Sequence, residues 1–472
     1  MLRKGLKWAG IVLLVLLLYL LLGAILPFVR QPDVSEETKS SFHPQDLMDS
    51  DYSGQRVDII SDNEEALAER IRLISQAKER IILSTFDFRA DSAGRQVLAA
   101  LHDAAERGVE VQLLVDGLAG LLRMEGNPDF YALSALPTAH VKLYSPIRPW
   151  LPWTLMGRLH DKYLVVDETA FVLGGRNTYN FFLGDPEGGW TNYDWDALVW
   201  SDSSTDAMDQ VVNYFHSVWE YKESKTFHDD PKLLQRDKVQ KAAESLRQLY
   251  AQIEQDHPDW FTARDYKSTT LPAGKITLLH NPIHSYAKEP TCYYQMTEVM
   301  AQEGADVYIH TPYLICNKWM LSQLEKIADV SRSTHLLTNS VANNGNPFGS
   351  MDYWAHKPNI LDTGVNILEY DSGVSYHGKC ARVGDRLSLV GSLNFDMRSA
   401  YLDTELMLVI DSPEVNADMA LEMGKYEEEC LVVTGVDSCD PPEGRIPQEI
   451  PGSKYAIMTL MRLFIGWTRF LL

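Results

Sequence analysis

One constellation of side chains occurs twice in this chain, 217 residues apart. LHDKYLVVDETAFVLGGRNTYN (159–180) carries His160, Lys162, Gly174-Gly175 and Asn177. YHGKCARVGDRLSLVGSLNFDMRS (376–399) carries His377, Lys379, Gly391-Ser392 and Asn394 at the same spacings. A single H-x-K on a strand is usually an accident of composition. Two copies inside a wider repeat are not, and they restrict the fold to two versions of one unit.

The surrounding segments keep nearly the same offset. A strand-like run at 81–88, a helical run at 93–108 and a strand-like run at 109–117 recur at 305–315, 317–330 and 333–340. This rhythm predicts α/β halves, each a parallel sheet with helices on its faces. Ser61 with Glu64 reads as a capping box before the amphipathic ALAERIRLISQAKERI. The charged stretch 231–255 reads as a solvated connecting helix. The expected organisation is an anchor (1–30), a polar linker (31–56), a first half (57–225), a helical connection (226–272), a second half (273–435), and a linker with a C-terminal helix (436–472).

Both ends are lipid-seeking. Residues 8–29 are apolar and uncharged, long enough for a bilayer core of about 30 Å. No small-residue cleavage site follows, so an uncleaved single-pass anchor is expected. Arg3, Lys4 and Lys7 precede the run and Asp33, Glu36 and Glu37 follow it, which places the body on the extracytoplasmic side. In KYAIMTLMRLFIGWTRFLL, Thr459, Arg462, Gly466 and Arg469 form a narrow polar stripe on an otherwise apolar helix. Such a helix lies in the lipid interface or docks on the body.

The formal net charge of −22 argues against nucleic acid as a partner, because non-specific binding to phosphates needs a broad basic surface. None of the five cysteines forms a C-x-x-C pair, so a zinc site is not expected. Cys430 and Cys439 lie close enough to bridge in an oxidising compartment, although buried thiols are the commoner outcome.

Two histidines suit a two-step displacement at phosphorus. One attacks and forms a phosphohistidine; the other protonates the leaving alcohol and then deprotonates the incoming one. Lys162, Lys379, Asn177 and Asn394 are donors for the charge on the non-bridging oxygens. No metal and no cofactor is required.

The pattern H-x-K-x4-D-x6-G-G-x-N, given by His160, Lys162, Asp167, Gly174, Gly175 and Asn177, resembles the HKD motif of the phospholipase D superfamily. The second copy with GSLNFDMRS, together with HTPYLI (310–315) and LLTNSVANN (336–344), resembles bacterial cardiolipin synthases, particularly the C-type. The resemblance spans roughly 60–430. It implies two fused phospholipase D-like α/β halves with pseudo-two-fold symmetry. It also implies a catalytic set of His160, Lys162, Asp167, Asn177, His377, Lys379 and Asn394.

The implied activity is transfer of a phosphatidyl group to a second phospholipid, with phosphatidylglycerol the expected substrate. Hydrolytic phospholipase D is the main alternative; a nuclease or a decayed, membrane-anchored binding protein rank lower. Gly384 stands where the second copy should carry an acid, and Asp385 after it would face the other side of a strand. In this superfamily an acid beyond each motif orients the histidine of the other half. Asp196 in DWDALVW (194–200) and Glu405 in DTELMLVI (403–410) take that place. His160, in the complete copy, is the expected nucleophile held by Glu405; His377 is the expected acid/base held by Asp196.

Overall fold

A computed structural model describes residues 2–49, 54–185 and 191–472. The repeat folds into two nine-stranded sheets whose orders match over eight strands, with Leu271–Ala273 added at one edge of the first and Ser438–Asp440 at the opposite edge of the second. In the first, the strands run Leu271–Ala273, Gln55–Ile60, Asp196–Ser201, Ala170–Gly174, Tyr163–Val166, Arg80–Thr85, Glu110–Asp116, Ala139–Tyr144 and Ser224–Thr226. The second runs Lys275–His280, Leu406–Asp411, Leu387–Gly391, Cys380–Val383, Asp306–His310, Ser333–Asn339, Asn366–Tyr370, Cys430–Gly435 and Ser438–Asp440.

These sheets are mixed, which corrects the expectation of parallel ones. Arg80–Thr85, Glu110–Asp116 and Ala139–Tyr144 are parallel, as the helical segments between them allow. The motif strands Tyr163–Val166 and Ala170–Gly174 are joined by three residues, and so short a link can only make an antiparallel hairpin.

The halves interlock. Helix Asp206–Trp219 of the first half packs on strand Lys275–His280 of the second, where Gln210 Oε1 accepts the N–H of Leu278 at 2.9 Å. Helix Pro413–Glu427 packs back on Gln55–Ile60, with Ser61 Oγ donating to Glu422 Oε2 at 2.7 Å. Val57, Tyr163, Trp195, Phe215, Leu278, Tyr376 and Leu408 belong to one apolar core shared between the halves. Apolar burial of about 25 cal/mol per Å2 drives this union, since neither sheet could leave that face in water.

Three local expectations change. The N-cap of helix Asn63–Gln76 is Asp62, whose Oδ1 accepts from the backbone of Glu64 and Glu65, while Ser61 is used across the halves. Helix Asp237–Asp256 is not simply solvated. Val239, Ala242, Ala243, Leu246 and Ile253 recur on one face and bury it against the first half. The segment after the anchor is not a loose linker: Asn317 donates to Gln31 at 2.8 Å, Ser35 N–H donates to Glu289 at 2.9 Å, and Leu47 is buried in the second half's core.

Among the described residues one helix, Lys4–Phe28, is long and apolar enough to cross a membrane. The side chain of Arg3, and residues 50–53 of the expected linker, lie outside the described residues. Its lower end is seated in the body: Phe28 is fully buried in the second half's core, and Gly23 lies against Pro152 of the first half. Helix Gly452–Ile465 rests on the body through Lys454, Met458 and the Arg462 guanidinium over the Trp354 ring. Cys430 and Cys439 are both thiols.

Candidate active site

Each motif histidine is stitched to the opposite half. The N–H of His160 donates to Thr404 Oγ1 at 3.0 Å, and Leu159 bridges Thr404 in parallel. The N–H of His377 donates to Tyr193 O at 2.7 Å, and Ser375–Tyr376 pairs with Asn192–Tyr193. A carboxylate follows each contact by one residue. Glu405 Oε1 lies 2.8 Å from His160 Nδ1, and Asp194 Oδ2 lies 2.6 Å from His377 Nδ1. A carboxylate on Nδ1 fixes the ring and its tautomer; at His377, Lys379 Nζ also lies 2.6 Å from Nδ1 and 3.2 Å from Nε2.

The His377 partner corrects the sequence expectation. Asp196 is buried and bound instead by Arg70 (2.9 Å) and Arg176 (3.2 Å). The structural equivalent of Glu405 is Asp194: Gly175 N–H donates to Trp195 O, and Ser392 N–H to Leu406 O. A shift of two along a strand keeps the same face, so alternation could not separate Asp194 from Asp196. The hydrogen-bonded turn onto the following residue is the signal that does.

Asp167 also departs from its expected place in the catalytic set. It sits at the hairpin turn, at the far end of Tyr163–Val166 from Lys162, with φ of 50°. Its carboxylate accepts the backbone N–H groups of Lys78, Glu79 and Arg80 at 2.8–3.0 Å. It clamps a loop and lines no cavity shared with the histidines. Gly384 occupies the same turn position at φ of +58°, a conformation glycine adopts freely. The second copy loses the clamp, not a reacting group.

The other motif residues gather around the histidines. Lys162 and Lys379 are buried, and each donates to the carbonyl of its own motif histidine. Burial pushes the Lys162 amine down to about 8 and that of Lys379 to about 7. Burial, then the neighbouring lysine, drives His160 well below the usual imidazole range and His377 to about 4. The two carboxylates differ. Burial lifts Glu405 to about 8, against the pull of Lys162. Burial also acts upward on Asp194, but Lys379 and His377 outweigh it and hold the group below the carboxylate range.

His160, His377, Asn177 and Asn394 line one cavity of about 510 Å3. Phe86 meets the His160 ring edge-on at 5.5 Å, and Phe182 meets His377 at 5.0 Å.

Several residues went unread in the sequence. Tyr313 of HTPYLI lines the cavity. Behind His377, Trp195 Nε1 donates to Tyr376 OH at 2.6 Å, Tyr376 OH lies 2.7 Å from His310 Nδ1, and His310 Nε2 lies 3.0 Å from Glu427. Gly378, the middle residue of the second H-x-K, has no space for a Cβ: one would lie 2.3 Å from Trp195 Cδ1 and 2.5 Å from Tyr376 OH.

Residues 70–219 and 297–426, more than half the chain, match the family described as cardiolipin synthase, PLD-like domain. The chain belongs to this family. As a cardiolipin synthase-type PLD-like protein it is, at family level, a phosphatidyltransferase acting on phospholipids. Cardiolipin synthase C of Escherichia coli is 25% identical over 386 residues, covering 74% of this chain and 80% of that protein. An uncharacterised Helicobacter pylori protein is 24% identical over 416 residues, 79% of each chain. The crystal structure of phosphatidylserine synthase from Haemophilus influenzae superposes with a TM-score of 0.63 at 16% identity, over 93% of this chain and all of that one, and so shares the fold.

Proposed function

We propose that this protein is a membrane-bound phosphatidyltransferase of the cardiolipin synthase type, working through a phosphohistidine. The observation that carries the reading is the pair of histidines in one cavity, each fixed at Nδ1 by a carboxylate of the opposite half. His160 Nε2 attacks the phosphorus of a phospholipid. The bond to the headgroup oxygen breaks, and His377 gives that oxygen its proton. A hydroxyl of a second phospholipid, such as phosphatidylglycerol, then loses its proton to His377 and attacks, breaking the P–N bond.

The carboxylates support this division. Asp194, held ionised, opposes the burial that depresses His377 and so helps the ring to carry the transferred proton during the reaction, as an acid/base requires. Glu405, pushed up to about 8, does so less and leaves His160 neutral and nucleophilic. Lys162, Lys379, Asn177 and Asn394 are assigned to the non-bridging oxygens. Protein in phosphatidylglycerol vesicles should yield cardiolipin and glycerol; phosphatidic acid alone would select hydrolysis. With a good leaving group, the trapped adduct should map to His160. An adduct on His377 would reverse the assignment.

The anchor is assigned to span the bilayer with the body extracytoplasmic, on the strength of Lys4 and Lys7 ahead of the apolar run and the acids behind it. Protease added to intact spheroplasts should cut the body; protection until permeabilisation would invert the topology.

A further inference from the structure

Two cavities meet at His160. The 510 Å3 cavity also contains His377; a second, of about 390 Å3, does not. Both share Phe86, Tyr313, Asn346 and Asn394, and beyond that their walls diverge. The larger adds Asn177, Thr191, Asn192 and Ser375, which offer hydrogen bonds, beside the rings of Tyr179, Phe181 and Phe182. The smaller carries Ile315, Phe348, Leu471 and Leu472, beside the polar Asp396, Arg398, Ser399 and Asp403.

The last two residues are built into that wall. The backbone N–H of Arg398 donates to Leu472 O at 2.8 Å, and Arg398 Nη1 donates to Leu471 O at 3.2 Å. Arg469, just before them, is paired with Asp352 and donates to Cys316 O at 2.8 Å.

The surroundings are apolar too. The helix leading into this wall leaves Ile457, Leu460 and Leu463 exposed, the last at 72%. On its other side, Arg398 Nη2 donates to Met156 O, and Met156 follows the Pro152–Leu155 turn against which the long apolar helix packs. The smaller cavity therefore lies between the site and the parts of the molecule most suited to lipid.

We infer that the smaller cavity seats the diacylglycerol part of the phosphatidyl group, while the larger one exchanges alcohols. This rests on the proposed roles of His160 and His377. In the first step the headgroup P–O bond breaks and the proton of His377 goes to the headgroup oxygen. In the second, the P–N bond breaks and the acceptor's proton goes to His377. The P–O bond to diacylglycerol stays intact throughout and never needs a proton. The exchanged alcohols must stand at His377, which lines only the larger cavity. The retained group needs access to His160 and an apolar wall, which the smaller cavity offers.

The test measures two selectivities on the full chain in mixed micelles. Competition between dioctanoyl- and dioleoyl-phosphatidylglycerol gives acyl selectivity; partition of the phosphatidyl group between water and added isotope-labelled glycerol, read as phosphatidic acid against labelled phosphatidylglycerol, gives alcohol selectivity. Leu471→Trp and Phe348→Ala should each shift acyl selectivity about five-fold or more, with alcohol partition within about two-fold. Ser375→Leu should do the reverse. Phe348→Ala, a truncation at a part-exposed position, decides the matter if the larger tryptophan prevents folding. Turnover with crossed or unchanged selectivities overturns the assignment alone. No headgroup release from the wild-type chain overturns the function and the assignment with it.

Discussion

Replacing Asp194 with asparagine separates orientation of His377 from stability. The carboxylate holds Nδ1 at 2.6 Å and lies 3.9 Å from Lys379 Nζ. An asparagine amide can donate to Nδ1, which stabilises the wrong tautomer. In a comparable buried Asp–His pair this lowers kcat by about 10^4, or roughly 5 kcal/mol of barrier. The lost charge also matters: at this separation and an effective dielectric of about 20 the attraction is about 4 kcal/mol. Without it Lys379, already pushed down to about 7, loses its proton more readily and holds phosphate less well, so KM rises. Asp196→Asn is the contrasting variant. It leaves Arg70 and Arg176 buried without their carboxylate, which should cost about 3–5 kcal/mol of stability, while the folded fraction keeps its kcat. Glycerol release from phosphatidylglycerol vesicles and urea unfolding of the same preparations measure both. If Asp196→Asn abolishes turnover at full folding while Asp194→Asn stays within about three-fold of wild type, the pairing argued from this geometry is wrong.

Three further outcomes are expected. Asp167→Ala should lose about 2 kcal/mol through its three backbone hydrogen bonds and keep kcat within about two-fold; a large loss of kcat at unchanged stability would return Asp167 to the catalytic set. Gly378→Ala should cost about 1–3 kcal/mol in overpacking and reduce activity, because the added carbon meets Trp195 and Tyr376; wild-type stability and rate would refute that contact. His377 is depressed to about 4, so between there and the unfolded value of about 6.5 the unfolded chain holds a proton the folded one lacks; stability should fall by up to about 3 kcal/mol as pH drops through that window. Glu405, raised to about 8, acts in the opposite sense, so the readout is the loss of pH dependence in His377→Gln relative to wild type, and an unchanged slope would count against it.

The duplication made the halves legible, because identical spacings repeated 217 residues apart leave little freedom in fold. What stayed hidden was whatever depends on packing between distant segments. The burial of Asp237–Asp256 was present as an apolar recurrence at Val239, Ala243 and Leu246, yet the density of charge on its other faces obscured it. Asp194 and Asp196 lie two residues apart, so strand alternation read from the sequence could not separate them; in the structure the strand begins at Asp196 and Asp194 precedes it. Gly384 looked like a defect because a motif read as letters shows that a supporting acid is missing but not that the acid only clamps a turn. The chain from Trp195 through Tyr376 and His310 to Glu427 joins four segments with no common spacing, and no local pattern announces it.

The seating of the apolar helix sets the working range of the molecule. With Phe28 in one half's core, Gly23 on the other half and the following strap bound at Gln31, Ser35 and Leu47, the helix has no tether on which to swing. A loosely tethered enzyme can sample any membrane within reach. If the helix spans the bilayer as proposed, a body mounted in this way keeps its cavities at a set height and tilt above the leaflet it stands on. On the proposed anchoring it would act on its own membrane: vesicles that contain the protein should be consumed, and lipid in protein-free vesicles mixed with them should not.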